Sequence, residues 1–546
     1  MRTSETQTLD AEKLASLAWL DGAAYPADIL TENWKKITFN QFHDLAAGSG
    51  IAVIYRDAQK DFTEVANANK QIDESALNTI DAHIDTTSKV GVPVLVYNSM
   101  AWTRNEMVPL HIQLPVDSKE VIVTDAKGHI VPTQTVAHVA GTNQIEVLAK
   151  VSDVPAFGYE VLTAQEASQT RKNPPAGPDD SGVRGGKDSN GNFSLSNGVV
   201  AIEVGSKDGC ITSLRNANDG KAYLAPQSCA NQLQTYADNP KQYDAWNIDP
   251  GTLDGKMTPI DTLDSIKVVA DGPLRKTIEI KRTWSKSHFT QDISLDAGSD
   301  FIRVETTVDW HEDHVLLKAA FPLAHSGPKA TFEIPYGAIE RTTTRNNSWE
   351  KAQFEVPALR WADLGDSTAG VSILNDSKYG YDALGNTLRL TLLRSPTWPD
   401  PDADRGPQHF TYEIYPHTGP WQTAETVHRG YELNTPLTAQ QVFPHTGSLP
   451  PTHSFASIEE PNIILSAIKK AEDTHALIFR FYEATGKGID AHLHIPPGAL
   501  YAIETNLMET PIPNAPHLPV TGNTITLPIK PWEIRTLEVV YPVVGK

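Results

Sequence analysis

The sequence predicts a mainly β fold with a short N-terminal helical unit, and three observations carry that prediction. Chain breakers recur throughout, with 35 Gly and 38 Pro in 546 residues and no fixed period, so long helices cannot dominate. From Gly91 onward, short β-branched runs end in turn residues and no helical pattern separates them. That arrangement predicts antiparallel pairing in place of parallel crossover units. Before Gly91, apolar residues recur at three- and four-residue spacing, which predicts helix.

Taken in order, residues 10–21, 28–46 and 57–84 carry that helical spacing, interrupted by Pro26 and by Gly48 to Gly50. They predict about three helices in a unit spanning 1–88. Strand-like runs such as Val92 to Tyr97, Glu120 to Thr124 and Ile145 to Val151 follow, giving a small β-sandwich over 89–167. The stretch 168–192 is rich in Pro, Gly, Ser and charge and reads as a linker or long loop. Further runs, among them Gly198 to Val204, Leu274 to Thr283, Phe301 to Trp310 and Leu388 to Arg394, predict a large antiparallel sandwich over 193–455. A C-terminal sandwich is expected over 456–546, from Ala476 to Tyr482, Ala491 to Ile495, Thr524 to Ile529 and Thr536 to Tyr541.

Charge narrows the partners. Lys and Arg total 46 against 67 Asp and Glu, a formal charge of −21, and such a field repels phosphate backbones and anionic lipid. Neither nucleic acid nor a membrane is expected as a partner. No window approaches about 18 consecutive apolar residues, and MRTSETQTLD has no signal-like pattern, which favours the cytoplasm as compartment. Cys210 and Cys229 are too few for a disulfide framework or a thiolate zinc site, and a single bridge between them stays open.

The segment NWKKITFNQFHDLAAGSG, Asn33 to Gly50, draws the chemical argument. On a helical wheel Ile37, Trp34, Leu45, Phe42 and Phe39 form an apolar arc, His43 projects opposite Trp34, and Asn40 and Asp44 lie on the polar side. If the helix runs to a C-cap at Gly48, Asp44 sits in its last turn, where the macrodipole disfavours an anion and a compensating cation is expected. An imidazole followed by a carboxylate suits a metal or a sugar hydroxyl. On the residues alone a surface His–Asp pair is the commoner arrangement, because one His is one ligand.

FNQFHDLAAGSGI (Phe39 to Ile51) resembles the N-Q-F-H-D stretch and following turn of glycoside hydrolase family 38 α-mannosidases. The likeness continues through VYNSMAWTR (Val96 to Arg104), YDAWNID (Tyr243 to Asp249), VDWHEDHVLLKAAFP (Val308 to Pro322) and Glu333 to Leu364. It runs on through Gly370 to Gly406, Phe410 to Gly419, Glu459 to Asp473 and Leu477 to Gly486, so it spans nearly the whole chain. Its wording is most similar to the cytosolic and vacuolar branch. The resemblance implies that the helical unit is a three-helix remnant of the family's middle domain, followed by antiparallel β-sandwich domains. It implies a retaining, zinc-dependent hydrolysis of terminal α-mannosides, in which one carboxylate forms a glycosyl-enzyme intermediate and a second serves as acid and then base. His43 matches a zinc ligand and Asp44 a sugar-contacting residue, while Trp246 and Arg394 match positions where the β-domains approach the substrate.

In the family, a His-x-Asp pair and both catalytic carboxylates precede the helical unit. The expectation is therefore that this chain lacks the nucleophile, the general acid and most zinc ligands, and needs an N-terminal catalytic half, encoded separately or lost by a frameshift or misplaced start. The alternative reading is a noncatalytic β-sandwich protein that binds carbohydrate or a protein partner. Under the first reading Trp19, Leu20, Trp34, Phe39 and Phe42 include residues left exposed.

Local look-alikes are set aside. His83-Ile84-Asp85 has the His-x-Asp spacing but follows the N-Q-F-H-D stretch and reads as an exposed helix end. His311-Glu312-Asp313-His314 lacks the gap of a metalloprotease motif and reads as structural or solvent-facing. Asp363 reads as structural. Trp349, Trp361, Trp398 and Trp421 read as core packing ahead of a sugar platform, and Asp400 to Asp404 as a solvated turn.

Overall fold

The computed structural model describes residues 1–88, 90–115, 118–139, 141–167 and 182–542. It is mainly β, and every strand ladder among those residues is antiparallel, as the absence of intervening helical patterns requires. The chain divides into two compact units. One holds Met1–Thr3, Thr38–Asp61 and Ala176–Asn434; the other holds Ser4–Ile37, Phe62–Pro175 and Thr435–Lys546. No helix among the described residues is long and apolar enough to cross a membrane.

Helices open the chain: α1 Arg2–Leu20, α2 Ala27–Phe39, α3 His43–Ala46 and α4 Ala52–Asp81. In the second unit α1, α2 and α4 meet through Ala11, Ala15, Leu30 and Ile72, where the two alanines of α1 leave room for the larger side chains of α2 and α4. A buried polar relay fixes their register. Asn33 donates to Asn69 at 2.9 Å and Asn69 donates to Thr8 at 2.8 Å, while the Trp34 indole donates to Glu12 at 2.8 Å. Satisfied buried amides of this kind specify one alignment where an alanine-rich interface alone would slide.

The expected helix over 28–46 is instead two helices, and the break has a local cause. Asn40 is buried and donates to Asp61 at 2.9 Å, while Phe42 takes an extended conformation at φ −56° and ψ 147°. A polar side chain drawn inward at that point ends the helical path. Asp44 therefore lies in the first turn of a four-residue helix, not in the last turn of a long one, and the dipole argument for a compensating cation lapses.

The small sandwich of the second unit pairs Val92–Asn98 with Gly158–Glu166 and packs that sheet on Arg104–Gln113, Gln144–Val154 and Thr133–His138. Residues grouped with the large sandwich from sequence, Thr438–Gln441 and Thr452–Ser454, in fact join this sheet, beside Val92–Asn98 and Gly158–Glu166 respectively. The C-terminal sandwich faces Ser457–Ile458, Ile489–His494 and Thr524–Ile529 against Ile463–Lys470, Ala476–Glu483, Ile534–Val540 and Tyr501–Thr505. Leu477, Phe479, Phe481 and Leu493 are buried between the sheets.

The first unit is a larger sandwich of a nine-stranded and a six-stranded sheet. Aromatic pairs cross between them, Phe321 against Tyr412 and Phe332 against Tyr381, each with ring centroids 6.2 Å apart. A four-stranded sheet beside them begins with Arg184–Lys187, inside the segment read from sequence as linker; residues 168–181 of that segment lie outside the described range. Cys210 and Cys229 form a disulfide, next to the bridge between Ile211 and Ala230.

Candidate functional site

The site is built in the first unit from the α3 turn and two loops of the sandwich. His43 and Asp44 open α3, whose chain leaves through Gly48 at φ +75°, a left-handed conformation that glycine takes without strain. The His43 side chain is 73% exposed, lies 3.3 Å from Asp44 through Nε2 and packs its ring on Phe42 at 4.3 Å. Ser49, buried behind the turn, donates to the Asp44 carboxylate at 3.3 Å. Phe39, Phe42 and Ile51 surround this pair and are 76%, 62% and 51% exposed.

Tyr55 of α4 links the turn to the acidic loop. Its hydroxyl accepts the Gly50 N–H at 2.8 Å, and burial, together with the charges of Asp400, Asp404 and Asp44, pushes its phenol above the ordinary range. The loop Asp400 to Asp404 is an ordered turn that stays largely solvent-facing, with Asp402 and Asp404 exposed and Asp400 turned inward. Asp400 is buried and accepts the Asp402 N–H at 3.1 Å, and Asp404 accepts the Ser395 N–H at 3.0 Å.

Arg394 begins that loop, and its guanidinium makes four hydrogen bonds there. It donates to Asp238 at 2.6 Å, to the carbonyls of Ala245 and Asp244 at 2.9 and 2.8 Å, and to the carbonyl of Asn247. Arg394 therefore shapes the loop Tyr243 to Asn247, spending both its Nε and its Nη2 donors on that loop and on Asp238. Asp244 closes the other side, accepting the N–H groups of Thr397 and Trp398 at 2.8 and 3.1 Å. The outcome is a pair of half-exposed indoles, Trp246 and Trp398, with ring centroids 5.3 Å apart. Such a surface offers flat apolar area with polar edges, the chemistry that stacks on a sugar ring.

Of the residues singled out from sequence, the structure places His43 and Asp44 together and Trp246 on a loop that Arg394 holds. Trp361 and Trp421 are core residues with tilted rings whose centroids lie 4.9 Å apart, but Trp349 and Trp398 are 84% and 55% exposed, which corrects the core reading for that second pair. The side chains of His311 to His314 diverge. His311 pairs with Asp309, Glu312 accepts from Ser287, Asp313 binds Arg405 and His314 contacts Asn239 and Thr397. Asp363 is buried against His417 and Ser372 at 2.7 and 2.9 Å. Just beyond the end of α4, His83 is exposed and Asp85 half-buried, with Ile84 buried between them. Asp238, Asp244 and Tyr55 escaped the sequence reading; the motif YDAWNID held the one usable signal, since its Asp244 stands two residues from Trp246.

A catalytic zinc takes three protein ligands and an open position. The α3 turn offers one imidazole and one carboxylate that already face each other, and neither belongs to a group of three or more metal-type donors among the described residues. Among the described residues around His43, the donor set does not complete a zinc site.

Residues 1–80 match the alpha mannosidase middle domain, residues 195–402 the glycosyl hydrolases family 38 C-terminal domain, and residues 462–537 that family's C-terminal beta sandwich domain. The class is therefore that of glycoside hydrolase domains. The chain belongs to glycosyl hydrolases family 38, whose middle and C-terminal domains it holds. It is 32% identical over 544 residues to Alpha-mannosidase 2C1 of Mus musculus, covering 97% of this chain and 47% of that protein. Alpha-mannosidase G of Dictyostelium discoideum is 28% identical, over 89% of this chain and 45% of its own length. The chain thus spans about half the length of the curated relatives it matches. A solved alpha-mannosidase from Enterococcus faecalis V583 shares the fold, with a TM-score of 0.82 at 18% identity, over 98% of this chain and 66% of that one.

Proposed function

We propose that this chain supplies the middle and C-terminal part of a retaining, zinc-dependent α-mannosidase acting on terminal α-mannosides of glycans or oligosaccharides, and that it is inactive until an N-terminal catalytic half completes it. His43 serves as one zinc ligand and Asp44 as a sugar contact. Trp246, with Trp398 beside it, borders the substrate, and Arg394 positions that loop. The observation that carries the reading is the α3 turn. An imidazole and a carboxylate stand outward amid exposed Phe39, Phe42 and Ile51, a ligand offered for completion by other groups. The relatives named as alpha-mannosidases are about twice as long as the matched region, which leaves room for those groups.

The test is hydrolysis of a chromogenic α-mannoside with added zinc, by the chain alone and by the chain coexpressed with its preceding coding sequence. Activity is expected only from the combination, and His43→Ala is expected to abolish it. Turnover by the purified chain alone would overturn the requirement for a partner. Inactivity of both preparations would overturn the enzyme reading in favour of a noncatalytic carbohydrate-binding or partner-binding sandwich.

A further inference from the structure

The C-terminal sandwich carries a second group of metal-type donors. Register pairs Ser457 with His494 and Ile458 with Leu493, so Glu459 and Glu460, which follow directly, lie beside Ile489–His494. Glu459 donates its N–H to the His492 carbonyl at 3.3 Å. His492 and His494 stand two apart on one strand and share a face, while Leu493 between them is buried in the sandwich. Two imidazoles and two carboxylates therefore meet on the outer side of one sheet.

Distances join them in pairs. His492 Nδ1 lies 2.6 Å from Glu460 Oε1, and His494 Nε2 lies 2.7 Å from Glu459 Oε1. Donor atoms of Glu459, Glu460 and His492 all fall within 4.8 Å of one another, and His494 joins this trio through Glu459. Tetrahedral coordination with bonds of about 2.1 Å sets donors about 3.4 Å apart, so small side-chain rotations bring the group around one ion. Outer contacts already orient these donors. The His492 backbone N–H donates to the second oxygen of Glu460 at 2.8 Å, and Thr524 Oγ1 lies 3.0 Å from His494 Nδ1, leaving Nε2 turned toward Glu459. The imidazoles are 39% exposed at their side chains, which gives an entry path, while Glu460 is 10% exposed and anchors the floor.

We propose that Glu459, Glu460, His492 and His494 form a zinc site in the C-terminal sandwich. Two imidazole nitrogens with two carboxylate oxygens select zinc over magnesium or calcium, which favour oxygen-only shells. The ion clamps the segment after Ser457–Ile458 onto Ile489–His494, so its binding free energy adds to the stability of the sandwich.

The experiment uses the full chain, stripped with a chelator, titrated with Zn²⁺ and with Mg²⁺ by calorimetry and followed by thermal melting. One equivalent of zinc is expected, with a zinc-dependent rise in melting temperature and no response to magnesium. His494→Ala and Glu460→Gln are each expected to weaken binding at least tenfold, while His43→Ala leaves it unchanged. His494 is half-exposed at the sheet's outer side, and unaltered circular dichroism of that variant separates lost ligation from lost folding. Absence of a stoichiometric zinc, or zinc retained in both variants, would overturn the proposal. Zinc lost with His43→Ala alone would also overturn it, by assigning the ion to the α3 turn.

Discussion

Arg394 illustrates how one side chain carries a loop. Its partner Asp238 is almost fully buried, and burial pushes that carboxyl up against the downward pull of the guanidinium. Arg394→Ala leaves a buried carboxylate alone, and we expect a loss of about 3 kcal/mol in urea unfolding of the chain. Arg394→Lys keeps the charge but not the four-way fork, so it should recover only part of that loss. Asp73 makes the opposite case. Burial first, then Asp10 and Glu74, push its carboxyl up to about 7, and its Oδ1 is buried without a hydrogen-bond partner among the described residues. A carboxyl with a raised native pKa favours folding while protonated, so that contribution is complete below the unfolded value near 4 and is lost as pH rises to 7. Asp73→Asn should therefore leave melting temperature unchanged near pH 3.5, raise it progressively from pH 4 to 7, and show a constant gain above that. A gain independent of pH would refute this account.

At the level of elements, contacts distant in sequence decide what local pattern cannot. Ile84, just after α4, forms a parallel bridge to Leu449, and a Cβ on Gly447 would stand 2.2 Å from the Ile84 carbonyl carbon and 2.4 Å from the His83 oxygen. Those neighbours are backbone and cannot rotate away, so Gly447→Ala should cost about 2 kcal/mol, read as a lowered urea midpoint at unchanged slope. The same segment shows why part of the fold was hidden. Strands Thr438–Gln441 and Thr452–Ser454 return across some 300 residues to Val92–Asn98 and Gly158–Glu166, and nothing in their own composition names those partners. The helices and the antiparallel character were legible because period and breakers are local properties. The split between α2 and α3 was not, since it depends on Asn40 reaching Asp61. For the site, the sequence resemblance marked the displayed residues His43, Asp44 and Trp246. Of the residues that hold the loop, Asp244 lay in the marked motif YDAWNID but its role did not show, and Asp238 carried no signal, because an aspartate in a turn looks the same whether it caps a backbone or clamps an arginine.

For the molecule as a whole, two opposing forces act on the surface around His43. Phe39, Phe42, Ile51 and Val53 are all exposed in the unit that carries α3 and favour association by removing apolar area from water. The formal charge of −21 opposes bringing two copies together. Salt acts on only one of these, since the Debye length falls from about 30 Å at 0.01 M to about 10 Å at 0.1 M while apolar burial is unaffected. Self-association of the chain alone, followed by sedimentation velocity, should therefore strengthen as salt is raised over that range, accompanied by binding of a hydrophobic dye. Exposed aromatics contribute little to the fold, so Phe39→Ser with Phe42→Ser should abolish dye binding and association without lowering melting temperature. The same double change should weaken capture of the coexpressed N-terminal half, because under the proposed function both events use one face. A strictly monomeric chain at every salt concentration, with no dye bound, would show that these side chains are tolerated by water and do not await a partner.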